Sequence, residues 1–134
     1  MDRDIFRRLA LVRLREAKAL LEGGYYQGAY YLCGYAVECG IKACLAKKTK
    51  RYAFPPEPKA VSQRYYTHSL SALLDEVGGP LAAEMKNHPK WGLTTEWSEG
   101  YRYSIDTAPS LAQEFYAAVA DKKSGVLTCI KKYW

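Results

Sequence analysis

Apolar residues recur at helical spacing over residues 3–22, where Ile5, Leu9, Val12, Ala17, Leu20 and Leu21 alternate with Arg7, Arg8, Arg15 and Lys18 on the wet side. The pattern predicts an amphipathic helix that stops at Gly23-Gly24, a pair that adopts unusual backbone angles at low steric cost. A second helix begins almost at once, over residues 25–48, and so short a connection predicts an antiparallel helical hairpin. Its polar face is nearly missing. Tyr25, Ala29, Leu32, Ala36 and Ala43 lie along one side and Tyr26, Tyr30, Cys33, Val37, Cys44 and Leu45 along another. A helix apolar on nearly every side belongs in the middle of a bundle or at a subunit interface. Gly28, Gly34 and Gly40 lie within it. Each costs roughly 1 kcal/mol relative to alanine in a helix interior, and close approach of a neighbouring element is the expected compensation.

Residues 52–66 contain Phe54-Pro55-Pro56-Glu57-Pro58, which cannot continue a helix and predicts the main loop. Thr67 then reads as the cap of a third helix with Leu70, Leu73, Leu74 and Val77 on its apolar side, ended by Gly78-Gly79-Pro80. Residues 81–88 allow one or two further turns before His88-Pro89, and the stretch to about residue 100, with Trp91 and Trp97, reads as irregular or short helical structure. A last helix is expected from near Thr107, with Pro109 in its first turn and a stripe of Leu111, Phe115, Ala118, Val119, Val126, Ile130 and Tyr133, bent at Gly125. With no alternating strand, no internal repeat and no second composition regime, the expectation is an all-α, up-and-down bundle of four or five helices, one domain across residues 1–134.

The net charge of +6 favours contact with a polyanion or an acidic partner. Lys47, Lys48, Lys50 and Arg51 form the densest basic cluster and Lys122, Lys123, Lys131 and Lys132 a second, although cations at helix ends also complement the macrodipole. The first residues lack an uninterrupted apolar run of the secretory kind and no segment is long enough to span a bilayer, so a cytoplasmic, non-membrane protein is expected. In that setting the four cysteines read as free thiols. Cys33, Cys39 and Cys44 show no CxxC spacing, and the reading is of buried small apolar side chains with no metal or cofactor.

Glu38 and Lys42 are the charged exceptions in the second helix, an i,i+4 pair with the acid first. Among apolar neighbours the pair is expected to be partly buried, either as a structural network or as part of a ligand site. His68 follows the expected cap and either bonds nearby groups such as Glu38 or acts as a general acid-base, being a side chain that titrates near neutrality. Arg102, flanked by Tyr101 and Tyr103 with Trp97 on the same segment, suits phosphate binding beside a stacking ring, or an arginine bonded to Glu38 at the bundle's edge. Tyr25, Tyr26, Tyr30, Tyr31 and Tyr35 suit a protein interface, and homodimerisation through the first two helices is expected.

The runs Ala29-Tyr30-Tyr31, Ala36-Val37-Glu38 and Lys42-Ala43-Cys44-Leu45 resemble the long helix of HEPN domains, a helical family of nucleotide-associated proteins. His68-Ser69-Leu70, Trp97 and Arg102-Tyr103 extend the resemblance, which covers about residues 5–133. The resemblance implies a four- or five-helix bundle, commonly dimeric, found beside nucleotidyltransferases or in toxin-antitoxin and phage-defence systems. Many members are metal-independent ribonucleases with an arginine and a histidine on a late helix, separated by four to six intervening residues. Here the only close pair is Arg64 and His68, with three residues between, and no histidine follows His88. The expectation is therefore a dimeric protein that binds nucleotide, RNA or a nucleotidyltransferase partner without the ordinary nuclease chemistry, through Glu38, Lys42, His68, Trp97, Arg102 and Tyr103. Two alternatives are a variant ribonuclease using His68 and Arg102, and a purely structural oligomerisation module.

Overall fold

A computed structural model describes residues 2–48 and 66–134. Among the described residues, seven α-helices and one short 3-10 helix make up the regular structure, with no strand. They are α1 (Arg3–Glu22), α2 (Tyr26–Ala46), α3 (Leu70–Val77), α4 (Gly79–Lys86), α5 (Trp91–Thr95), the 3-10 helix Glu99–Tyr103, α6 (Pro109–Ala120) and α7 (Val126–Lys131). The expected all-α bundle is what the chain forms. The expected proline loop, Lys50, Arg51 and Arg64 lie outside the described residues.

Asp2 caps α1 by accepting the Ile5 amide at 3.0 Å. The helix ends where Gly24 takes a positive φ of 82° and the Tyr25 amide donates back to the Leu20 carbonyl at 2.8 Å. The chain then folds back as the predicted hairpin, and α1 against α2 is the most extensive contact between elements. The buried line on α1 is Phe6, Ala10 and Ala17 rather than the one that starts at Ile5, which is 41% exposed. Two alanines on that line let the helix axes approach.

α2 is the middle of the molecule: α1, α3, α6, α7 and the 3-10 helix all pack on it. Each of its glycines meets a neighbour where a side chain would stand. A Cβ on Gly28 would lie 3.0 Å from Leu20 of α1, one on Gly40 2.9 Å from Leu127 and 3.2 Å from Ile130 of α7, and one on Gly34 only 2.1 to 2.2 Å from the indole of Trp97. The close approach expected of these glycines is thus divided among three partners.

Two local expectations are corrected. Ser69, not Thr67, caps α3, its hydroxyl accepting the Ala72 amide at 3.3 Å, while the Thr67 hydroxyl accepts the Ser69 amide at 3.0 Å and shapes the turn before it. The single last helix is two. Asp121 leaves the helix with ψ 127°, and its Oδ1 accepts the amides of Lys123 and Ser124 at 2.9 and 2.8 Å, a competitor to the helical ladder. The chain turns so tightly there that a Cβ on Gly125 would sit 2.4 Å from the Asp121 carbonyl oxygen. α7 is then tied to α4, with Lys132 Nζ and Tyr133 Oη donating to the Glu84 carboxylate at 2.6 and 2.5 Å.

All four cysteines are buried and unpaired. Burial pushes their thiols up, those of Cys39 and Cys44 to about 12. No described helix is long and apolar enough to cross a membrane.

Gly34→Ala is expected to lose about 1–3 kcal/mol of stability to overpacking in urea titrations, and Gly34→Ala combined with Trp97→Leu should lose clearly less than the sum of the single changes. An additive result would show that the indole is not the obstacle. A thiol held neutral in the folded state stabilises the fold fully below its unfolded value near 9, and that contribution is lost as pH rises from there towards about 12. Unfolding free energy should therefore fall above pH 9, by up to about 1.4 kcal/mol per pH unit for each such thiol. In parallel, a thiol reagent at pH 8 should label the four cysteines only after denaturant is added.

Candidate functional site

The second helix places Glu38 and Lys42 one turn apart, and the turn ahead of the Ser69 cap brings His68 to the same carboxylate. Glu38 is only 2% exposed. Lys42 Nζ donates to its Oε2 at 3.2 Å and His68 Nδ1 meets its Oε1 at 3.0 Å, so each carboxylate oxygen has one partner. This satisfies the rule that a buried charge must be paired and hydrogen-bonded. An ionised carboxylate only accepts, so the His68 proton belongs on Nδ1 in the neutral ring and Nε2 keeps its lone pair. The imidazole stays 44% exposed while its other nitrogen is anchored.

Arg102, on the 3-10 helix, does not reach Glu38. Its guanidinium lies 4.9 Å from the centre of the Tyr103 ring, and hydrogen bonding with Tyr103 first, then the proximity of Tyr31, holds it more firmly protonated than usual. No carboxylate of the described residues lies within ion-pair distance of it.

Arg102 and His68 nevertheless line one cleft of about 500 Å3, together with Arg13, Tyr31, Tyr35 and the carboxylates Glu16 and Glu99. Tyr31 stacks over Trp97 with centroids 6.1 Å apart and leans towards Tyr35 at 6.2 Å. Arg13 is bonded to Glu16 across one turn of α1, which also pushes its guanidinium up. Desolvation pushes up the Tyr35 hydroxyl as well. The cleft therefore combines two guanidinium groups, one of them bonded to Glu16, with a second carboxylate at Glu99, one imidazole and two half-buried phenols over an aromatic floor. Phosphate recognition beside a base is the chemistry these groups suit.

Glu38, Lys42 and His68 come together as expected, and His68 and Arg102 share the cleft without touching. Trp97 does not offer a stacking face: it is 3% exposed, wedged on Gly34 beneath Tyr31. Tyr103, 78% exposed, accompanies Arg102 but does not line the cleft. Tyr30, expected at an interface, is buried at 1% against Tyr101 and Phe115. Sequence reasoning missed Arg13, whose signal was an arginine on the core-facing side of α1, and it read Tyr31 and Tyr35 only as interface residues. Among the described residues no group of three or more His, Cys, Asp or Glu side chains is placed to hold a metal ion.

Lys42→Met is expected to destabilise the fold by about 3 kcal/mol or more by stranding the Glu38 charge, and Glu38→Gln added to it should recover most of that loss. Urea unfolding of the three variants at pH 7 measures it. No recovery would mean that Lys42 acts through its packing alone.

No curated protein and no solved structure gives a significant match to this chain. The family model described as HEPN domain matches residues 4–107, from the start of α1 to the segment before α6, and stops short of α6 and α7. That stretch spans most of the chain and contains every residue of the Glu38 network and the cleft, and the protein belongs to the HEPN domain family.

Proposed function

We propose that this HEPN bundle binds the phosphate of a nucleotide or RNA strand in the cleft between His68 and Arg102, without the family's ordinary nuclease chemistry. The observation that carries the reading is the Arg102 guanidinium, with no carboxylate of the described residues within ion-pair distance, facing the same cleft as an anchored imidazole. Arg102 supplies a forked donor set for phosphate oxygens. Tyr31 and Tyr35 supply ring faces for a base. Glu38 and Lys42 act behind His68, fixing its ring. In the same reading the chain is a cytoplasmic homodimer that meets a nucleotidyltransferase partner in a toxin-antitoxin or defence setting, an assignment that draws on the family, with the exposed Tyr25 and half-buried Tyr26 available to an interface.

One observation favours an enzymatic variant: a buried carboxylate holding His68 Nδ1 is the arrangement that orients an imidazole for proton transfer at Nε2. In that case His68 exchanges the proton and Arg102 offsets charge on phosphate.

Fluorescence anisotropy with a short single-stranded RNA and with ATP should show salt-sensitive binding, weakened about tenfold by Arg102→Ala, the loss of one charge-assisted contact. No binding of either ligand by the wild-type chain sinks the proposal. RNA cleavage in the presence of a chelator, abolished by His68→Ala, is the signature of the enzymatic variant, and full cleavage by His68→Ala removes that residue from the chemistry.

A further inference from the structure

The outward side of α1 carries a surface that the cleft does not use. Ile5, Arg8, Val12 and Arg15 follow one another at steps of three and four residues, the spacing by which one helix packs along another. Ile5 and, beside the stripe, Leu11 are 41% and 40% exposed. Two shallow concavities flank this face, one of about 220 Å3 at Ile5, Arg8, Leu9 and Val12, and one of about 340 Å3 where Leu11, Leu14 and Arg15 meet Tyr116 of α6.

The charges on α1 sort into two groups. Arg3 and Arg7 approach Asp4 at 4.0 and 3.6 Å, Arg13 bonds Glu16, and Lys18 stands 4.0 Å from Glu22. Arg8 and Arg15, one heptad apart, have no carboxylate within ion-pair distance among the described residues. Two uncompensated guanidinium groups thus stand among exposed aliphatic side chains. A nucleic acid strand would use the arginines but leave Ile5, Leu11 and Val12 in water. A second copy of α1 would bring six cations and three carboxylates against the same set, a net repulsion. An acidic amphipathic helix fits both components, with apolar side chains on the aliphatic stripe and carboxylates on the arginines.

We propose that the outer face of α1 docks an acidic amphipathic helix of a partner protein, with Arg8 and Arg15 reading its carboxylates. The full chain is titrated, by fluorescence polarisation, against a labelled synthetic helix of about three heptads with leucine at the core positions and glutamate at the flanking ones, and against the same peptide with lysine in place of glutamate. The wild-type chain should bind the glutamate peptide, release it as salt is raised, and ignore the lysine peptide. Arg8→Glu combined with Arg15→Glu changes only solvent-facing groups, and should weaken the glutamate peptide at least about tenfold while gaining the lysine one. Arg102→Ala should leave peptide affinity unchanged. Equal binding of the two peptides by the wild-type chain, or no binding of the glutamate peptide, overturns the proposal. So does a double variant that loses RNA affinity or self-association but holds the glutamate peptide as before.

Discussion

The arrangement of every other element depends on how near its neighbours come to α2. A helix buried on nearly all sides gains from apolar contact only where facing surfaces interdigitate at van der Waals distance. Here the clearance is set by absent side chains: Leu20 fills the notch at Gly28, Trp97 the notch at Gly34, and Leu127 with Ile130 the notch at Gly40. The glycines weaken α2 as an isolated helix and fix the positions of α1, the segment before the 3-10 helix, and α7 around it. Since Trp97 locks onto Gly34, the adjoining turn that carries Arg102 is held at the rim of the cleft, and Tyr31 is supported from below.

A carboxylate in this environment is tolerable because both oxygens are occupied, and the two partners differ in kind. Lys42 lies on the same helix and holds the charge balance whatever the rest of the fold does. His68 arrives from a different part of the chain and is partly in solvent, so its bond to Glu38 links the middle of the bundle to the cleft. The imidazole is positioned by the core and addressed to the outside.

Much of this was legible in the order of residues. The helical spacing in α1, the nearly unbroken apolar run of α2 and the Gly-Gly turn between them lead to a hairpin and a central helix, and the three interior glycines lead to close packing. The i,i+4 placement of Glu38 and Lys42 follows from helix geometry, and the sequence offers His68 and Arg102 as a further partner of Glu38, between which the tertiary fold chooses His68. Asp121 and Gly125 were harder: the stripe from Leu111 to Tyr133 keeps its period through the break, while the Asp121 side chain takes two backbone amides away from the helix. Trp97 shows the other limit, since an aromatic near an arginine reads the same whether its ring faces a ligand or a glycine. Arg13 joined the cleft unannounced because an arginine in step with Ala10 and Ala17 on the buried line of α1 carries no sign in the sequence of which element it will meet.

The family match ends at residue 107, yet the wall beyond it is not optional. Phe115, Val119, Leu127 and Ile130 all come from α6 and α7, all are buried, and they cover the flank of α2 that holds Cys33, Gly40 and Cys44. The Cys33 and Cys44 sulfurs sit 4.0 and 3.8 Å from the carbonyl oxygens of Phe115 and Ile130. Without α6 and α7 the matched portion would be open along one flank of α2, and these two helices close it. A substitution in α6 or α7 can therefore change the identity of these side chains but hardly their summed volume, because a void there would open the flank of the central helix to water.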